Sequence, residues 1–157
     1  MWWSFAAAEA AQAEFIRPAF MSYLRARGTD GADYGSAELI FGELIGNVVR
    51  HAPGPIAVTV RWNEDAPVLV VADRGPGFFR LHSTLPDALF SESGRGLFLV
   101  SAFGNDLVVE QNPTGGSRVS IVLPIRRKTI GVTEVSALAN ASDVLAIAAA
   151  TLTGMTS

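Results

Sequence analysis

Three polar side chains recur at intervals of four residues near the middle of the chain: Glu43, Asn47 and His51. On an α-helix this spacing places them on one face, one turn apart. The residues between them are mostly apolar, and a carboxylate, an amide and an imidazole are costly to bury without partners. The pattern therefore indicates either an exposed ridge on a surface helix or a site whose ligand, carrying phosphates and a metal ion, supplies the partners.

A second group of residues suited to ligand binding begins at Asp73. It follows an unbroken apolar run, residues 68–72, which is typical of a central strand. Gly75 and Gly77 come next, so the strand ends in an Asp-x-Gly-x-Gly sequence. Taken alone, this sequence is more typical of an ordinary turn than of a ligand site.

A long segment without a regular period, residues 79–93, comes before the sequence Gly94-Arg95-Gly96. Loops of this length inside a domain are usually functional lids or disordered. An apolar helix, residues 97–103, is predicted directly afterwards. The Gly-Arg-Gly sequence is therefore either an ordinary helix start or a place where backbone N–H groups and an arginine meet phosphates.

Composition narrows the class of protein. The chain has 157 residues, 49% of them hydrophobic and 17% charged, which predicts one globular domain with a sizeable core. Its net charge of -3 offers no basic surface for nucleic acid. The absence of cysteine excludes disulfides and thiolate metal sites, and no apolar run reaches the ~20 residues of a membrane span. We expect a cytoplasmic protein without a nucleic-acid or membrane partner.

The remaining apolar patterns predict the secondary structure. Strands are expected at residues 2–7, 56–61, 68–72, 107–110 and 117–123, with the first at a sheet edge and the others forming two hairpins. A helix is expected over residues 9–27, where Pro18 marks either a kink or the true start. The helix that carries the polar ridge is expected to start at Ser36 as N-cap and to end at His51.

A boundary is expected at the basic residues Arg126, Arg127 and Lys128. Residues 1–125 would form the domain, and residues 126–157 an Ala-rich extension. The extension is either a helix that packs on the domain or on a second copy, or a loosely ordered tail. A homodimer therefore remains open.

The motifs occur in a specific order: residues 43–52, residues 73–78, residues 94–100, and Gly115-Gly116-Ser117 before the last strand. In that order they resemble the GHKL ATPase superfamily, the ATP-binding fold shared by histidine kinases and gyrase. The closest likeness is to the anti-sigma factor serine/threonine kinases of bacteria, the RsbW-like branch, over residues 3–124. The resemblance implies a Bergerat-type ATP-binding fold. This is an α/β sandwich of the two-layer α+β kind, with a mixed, mostly antiparallel sheet and helices on one face.

The resemblance also implies a role for each polar residue of the first two motifs. Asn47 would bind Mg²⁺ through its amide oxygen, and Glu43 would orient or deprotonate the attacking hydroxyl. Asp73 would accept a hydrogen bond from the amino group of adenine, which selects ATP over a guanine nucleotide. Gly75 and Gly77 would let the backbone approach the base.

The later motifs would hold the phosphates and close the site. Gly94 and Gly96 would free the lid and expose backbone N–H groups, Arg95 would contact the β- or γ-phosphate, and the motif continues through Leu97. Ser117 would touch the adenine side through its hydroxyl.

The departures from the wider family favour a small stand-alone kinase. Phe98 stands where sensor histidine kinases usually have a further glycine, and the segment before the core is too short for their dimerisation helices. The expected activity is phosphorylation of a serine or threonine in an anti-anti-sigma (STAS-type) partner, with nucleotide-dependent control of a sigma factor. Two alternatives remain open: an ATPase module of a sensor-kinase type of switch, and a binding module without turnover.

Overall fold

The computed structural model describes residues 2–75, 95–113 and 115–128, with Arg95 described by its backbone alone. The elements in chain order are β1 (Trp2–Ala7), a 3-10 helix (Ala10–Ile16), α1 (Arg17–Arg27), α2 (Tyr34–His51), β2 (Ile56–Asn63), β3 (Ala66–Asp73), α3 (Arg95–Phe103), β4 (Asn105–Gln111) and β5 (Ser117–Val122). The expected lid and nearly all of the C-terminal extension lie outside the described residues. The chain divides into two units after Arg127, and the predicted boundary after residue 125 stays a prediction.

The five strands form one sheet in the order β1-β2-β3-β5-β4. β3 is its middle strand, as the unbroken apolar run predicts, and β1 lies at an edge. Every pairing among the described strands is antiparallel. The predicted two-layer α+β fold is confirmed, but the parallel component of the expected mixed sheet is not found among the described strands.

Alternation along the strands separates the two faces of the sheet. In β2, Ile56, Val58 and Val60 are buried, whereas Ala57 and Arg61 are exposed. This alternation follows from the two-residue period of side chains along a strand. The buried face packs with the apolar sides of the helices into one core. A stacked aromatic pair from α1 and α2 lies in that core, Phe20 and Phe41, with ring centroids 4.4 Å apart.

Pro18 marks the start of a helix and does not kink one. Residues 10–16 form a 3-10 helix, and α1 begins at Arg17 with the proline in its first turn. The first N–H groups of a helix have no intrahelical acceptor, so a proline there costs nothing in hydrogen bonding.

The start of α2 differs from the prediction. Asp33, not Ser36, is the N-cap: its Oδ1 accepts from the Ser36 backbone N–H at 3.0 Å and its Oδ2 from the Ser36 hydroxyl at 2.6 Å. The hydroxyl bond first, and then the backbone bond, lower the pKa of the Asp33 carboxyl. The helix ends at His51 as predicted, where Ala52 still donates to the Val48 carbonyl at 2.8 Å.

Both predicted hairpins are present. β2 and β3 are joined through Glu64 and Asp65, of which Glu64 has a φ of 43°. β4 and β5 pair antiparallel, with an irregularity between Asn105 and Val108. None of the helices in the described part of the chain is long and apolar enough to cross a membrane.

Candidate functional site

The polar ridge of α2 passes from the interior to the surface. Asn47 is only 3% exposed, whereas Glu43 is half-buried and His51, the last helical residue, is exposed. Glu43 and Asn47 are therefore the two residues of the ridge that lie deep enough to need a partner, as a ligand site requires.

The first turn of α3 lies directly against Glu43 and Asn47. A Cβ at Gly96 would stand 2.5 Å from Glu43 Oε2, 3.4 Å from Asn47 Nδ2 and 3.5 Å from Asn47 Oδ1. The Asn47 distances are ordinary contacts, but a Cβ would displace the Glu43 carboxylate, so only glycine allows this approach. The backbone N–H groups at the start of a helix lack intrahelical acceptors, so donors suited to an anion lie beside a carboxylate and an amide.

The Glu43 carboxylate has no hydrogen-bond or ion-pair partner in the described part of the structure. Among the described side chains, none hydrogen-bonds or ion-pairs with it. A half-buried carboxylate of this kind has lone pairs available to a ligand. This is the state that a general base requires before substrate arrives.

Asn47, by contrast, already has a partner. Arg50 Nη2 donates to Asn47 Oδ1 at 3.0 Å, between residues three apart on α2. The guanidinium lies over Gly46, where a Cβ would be 3.3 Å from Arg50 Nη1. Arg50 was not among the predicted site residues, although its spacing of three residues from Asn47 indicates that the two share a helix face.

Asp73 is completely buried at the end of β3. Its Oδ1 accepts from the Gly75 backbone N–H at 3.1 Å and its Oδ2 from the Ser117 backbone N–H at 3.0 Å. These two bonds fix the carboxylate plane between β3 and β5. Each oxygen of a carboxylate has a second lone pair, so both can accept a further hydrogen bond.

Close backbone contacts bring three segments together around Asp73. Gly116 has a φ of 89°, and a Cβ there would collide with the Asp73 carbonyl oxygen. A Cβ at Gly75 would stand 3.0 Å from the Pro53 carbonyl oxygen and 3.2 Å from that of Ala52. The end of β3 therefore touches both the β4–β5 connection and the C-terminal end of α2.

The helix itself links the two polar groups. Asn47 lies five residues before Ala52, a rise of about 8 Å along α2. Gly75, two residues after Asp73, lies against Ala52, so the end of β3 meets α2 about 8 Å from Asn47 along the helix.

Residues 6–123 match the family model of the histidine kinase-like ATPase domain. The chain belongs to this family. The match confirms the predicted GHKL superfamily and the α+β ATP-binding fold, and it identifies the chain as an ATP-binding module of the GHKL type. No curated protein matches the chain at a significant level.

The predicted site residues of this ATPase domain that the structure describes fall into two groups: Glu43, Asn47 and Gly96 at the α2–α3 contact, and Asp73, Gly75 and Ser117 at the end of β3. Leu97 is half-buried in the first turn of α3, and Arg95 is the first residue of that helix. Gly77 and Gly94 lie outside the described residues. Ser117 is buried and reaches Asp73 through its backbone N–H, a contact that the sequence analysis did not foresee.

The donor set fits Mg²⁺ held jointly with ATP. The described residues contain no cluster of three or more His, Cys, Asp or Glu side chains that would hold a metal alone. Mg²⁺ commonly takes one or two protein oxygens and completes its shell with phosphate oxygens and water. Asn47 Oδ1 is a hard oxygen of the required kind, and Gly96 lies beside it without a side chain.

Proposed function

We propose that this ATPase domain is an anti-sigma factor-type serine/threonine protein kinase. It transfers the γ-phosphate of ATP to a serine or threonine of an anti-anti-sigma (STAS-type) protein and so regulates a sigma factor in the cytoplasm. The observation that carries the proposal is the half-buried Glu43 carboxylate, without a described partner, one turn from Asn47 and against the start of α3.

Each residue has a defined task in this reaction. Glu43 accepts the proton of the attacking hydroxyl, while Asn47 contributes an amide oxygen to Mg²⁺. Mg²⁺ held at Asn47 would supply positive charge that offsets the charge of the phosphates. Asp73 accepts a hydrogen bond from the amino group of adenine. Its two backbone hydrogen bonds leave a lone pair on each oxygen available for this.

The first experiment measures ATP binding by isothermal titration calorimetry with and without Mg²⁺. We expect binding that strengthens with the metal, because the phosphates and Asn47 share its coordination. Absence of ATP binding under both conditions would overturn the proposal.

Glu43→Gln separates binding from transfer. The amide keeps the shape of the side chain but cannot accept a proton, so ATP binding persists while phosphoryl transfer falls by about 10²- to 10⁴-fold. The matched control is Glu38→Gln, which changes another half-buried glutamate of α2 and should leave the transfer rate unchanged. Retention of full transfer by Glu43→Gln would remove Glu43 from its assigned role.

The identity of the labelled residue tests the kind of kinase. The domain is incubated with radiolabelled ATP and purified STAS-type proteins, and the label is assigned by its stability to acid and by mass spectrometry. Label on serine or threonine supports the proposal. Label on histidine identifies a sensor-kinase type of switch, and tight nucleotide binding without any transfer identifies a binding module.

A further inference from the structure

We propose that Arg50 competes with the metal ion for Asn47 and so makes the site select the metal–nucleotide complex over the free metal. The inference rests on the proposed Mg-ATP site. Arg50 is a positioning residue here, since it acts through Asn47. Its Nη2 donates to Asn47 Oδ1 at 3.0 Å, the oxygen assigned to the metal.

A guanidinium and a metal ion that bind the same amide oxygen destabilise each other. Both are cations, and at hydrogen-bond distance from the same atom they repel each other. The amide oxygen has a second lone pair for the metal, but repulsion between the two cations then lengthens or breaks the Arg50–Asn47 bond. In the ligand-free domain, Arg50 satisfies a buried acceptor that would otherwise be unpaired.

Arg50, and not Asn47, is the partner that can move. Asn47 is 3% exposed inside the fold, whereas Arg50 is an exposed residue on the last turn of α2. Gly46 provides no side chain under the guanidinium, which lies along the helix surface with solvent on its outer side. Exchange therefore costs one exposed side-chain rearrangement and leaves the core unchanged.

The charge of Arg50 has no counter-ion in the described part of the chain. No described carboxylate forms an ion pair with it, and its recorded partner is the neutral amide. A free divalent cation at Asn47 would be attracted by the Glu43 carboxylate, one turn earlier on α2, but repelled by this positive charge. A metal ion that arrives with the negative phosphates of a nucleotide would meet much less net repulsion. Selectivity for the complex follows from that difference.

The test is the Mg²⁺ dependence of ADP binding, because ADP permits no transfer. Calorimetric titrations of ADP at a series of MgCl₂ concentrations give, for each variant, the concentration at which the metal-dependent increase in affinity is half complete. In Arg50→Ala this midpoint should fall by roughly three- to tenfold, the range for loss of one charged, partly exposed hydrogen bond. Arg50→Lys, which keeps the charge, should remain near the wild type.

The matched control is Arg61→Ala, which removes the same charge from an exposed position of β2 and should leave the midpoint unchanged. Titrations of ADP in EDTA provide the metal-free affinity of each variant, so any effect of Arg50 on the phosphates appears there and is separated from the metal. Thermal unfolding followed by circular dichroism verifies that each variant is folded.

The outcomes separate this inference from the proposed function. An unchanged or raised midpoint in Arg50→Ala, with normal ADP binding by the wild type, would overturn the competition while leaving the ATP site intact. A wild type that binds no nucleotide at any MgCl₂ concentration would remove the proposed function itself.

Discussion

Gly96 sets the position of the Glu43 carboxylate from a different helix. The nearest atom to an added Cβ is Glu43 Oε2, at 2.5 Å, followed by the amide of Asn47 at 3.4 Å. The glutamate oxygen ends a flexible side chain, so it can move away at little cost in stability. Its proposed role as general base depends on position, however, and a shift of about 1 Å in a reacting group can cost 10²-fold in rate.

We therefore predict that Gly96→Ala folds with nearly wild-type stability but loses phosphoryl transfer by about 10²-fold or more. Thermal unfolding and a radiolabel transfer assay measure the two properties separately. The double variant Gly96→Ala/Glu43→Ala should be no slower than Glu43→Ala alone, because the methyl group then displaces nothing. A double variant that is clearly slower would show that Gly96 acts through another group.

At the residue scale, the sequence predicted those groups that can be recognised from the residue type and its neighbours along the chain. Asp73 was identified because a carboxylate follows a buried strand and precedes glycines. Arg50 was missed because a lone arginine on a helix is ordinarily a solvated charge, and its bond to Asn47 depends on side-chain rotamers. The Ser117 contact was also missed, since its donor is a backbone N–H, which every residue except proline has.

The start of α2 makes one helix sensitive to acid. Hydrogen bonds from the Ser36 hydroxyl and backbone N–H lower the pKa of the exposed Asp33 carboxyl below its ordinary value of 3.8. The folded-state pKa lies below the unfolded one, so the stabilisation is complete above about pH 4. It is lost as the pH falls through the folded-state pKa.

We predict that Asp33→Asn, which keeps a capping acceptor without the charge, loses less stability than the wild type between pH 5 and pH 3. Asp33→Ala should have a lower Tm than either at neutral pH, because it removes the acceptor altogether. Thermal unfolding across this pH range measures both effects. An identical pH dependence in the wild type and Asp33→Asn would exclude this carboxyl as the source.

The connection between β4 and β5 depends on a glycine for two reasons that can be separated. Gly116 has a φ of 89° and also touches the Asp73 carbonyl, whereas Gly31 has a φ of 79° and nothing within 4 Å of an added Cβ. We predict that Gly31→Ala costs about 1 to 2 kcal/mol from backbone strain alone. Gly116→Ala should cost clearly more and should weaken ATP binding, because Asp73 must shift. Chemical unfolding and calorimetry test this, and equal losses of stability would contradict it.

At the level of elements, apolar periodicity predicted the helices and strands because each must bury one face against the core. The helix start was placed at Ser36 when Asp33 is the cap, because both residue types favour that position and sequence does not show which side chain reaches the free N–H groups. Pro18 left two interpretations, since a proline suits either a kink or a first turn. The expected lid lies outside the described residues and stays a prediction.

At the scale of the whole molecule, the family match and the first unit of the chain end at nearly the same residue. The match ends at residue 123 and the first unit at Arg127. The last backbone bonds of this unit run from Arg127 N–H to the Asp65 carbonyl at 2.7 Å and from Thr29 N–H to the Arg126 carbonyl at 2.8 Å. The ordered hydrogen bonds of the domain thus include the residues just beyond the predicted boundary.

We predict that a variant lacking residues 129–157 retains ATP binding and changes the free energy of unfolding by less than about 1 kcal/mol. Calorimetry and chemical unfolding of the truncated chain measure this. Mass determination in solution, for the full and the truncated chain, shows whether the protein forms a homodimer and whether the extension is needed for it. A truncated chain that no longer unfolds cooperatively would show that the extension belongs to the fold.

Both ends of the first unit converge on the turn between β2 and β3. Trp2 pairs with Arg61, and the Arg127 N–H bonds to Asp65 within the turn itself. Asp73 lies at the opposite end of the eight-residue strand β3, roughly 25 Å away. A fluorescent reporter fused before Trp2, or after Arg127 in a chain shortened to this unit, would therefore lie far from Asp73. A circular permutant that joins residues 2 and 127 by a short linker would open new termini elsewhere without disturbing the Asp73 end of β3.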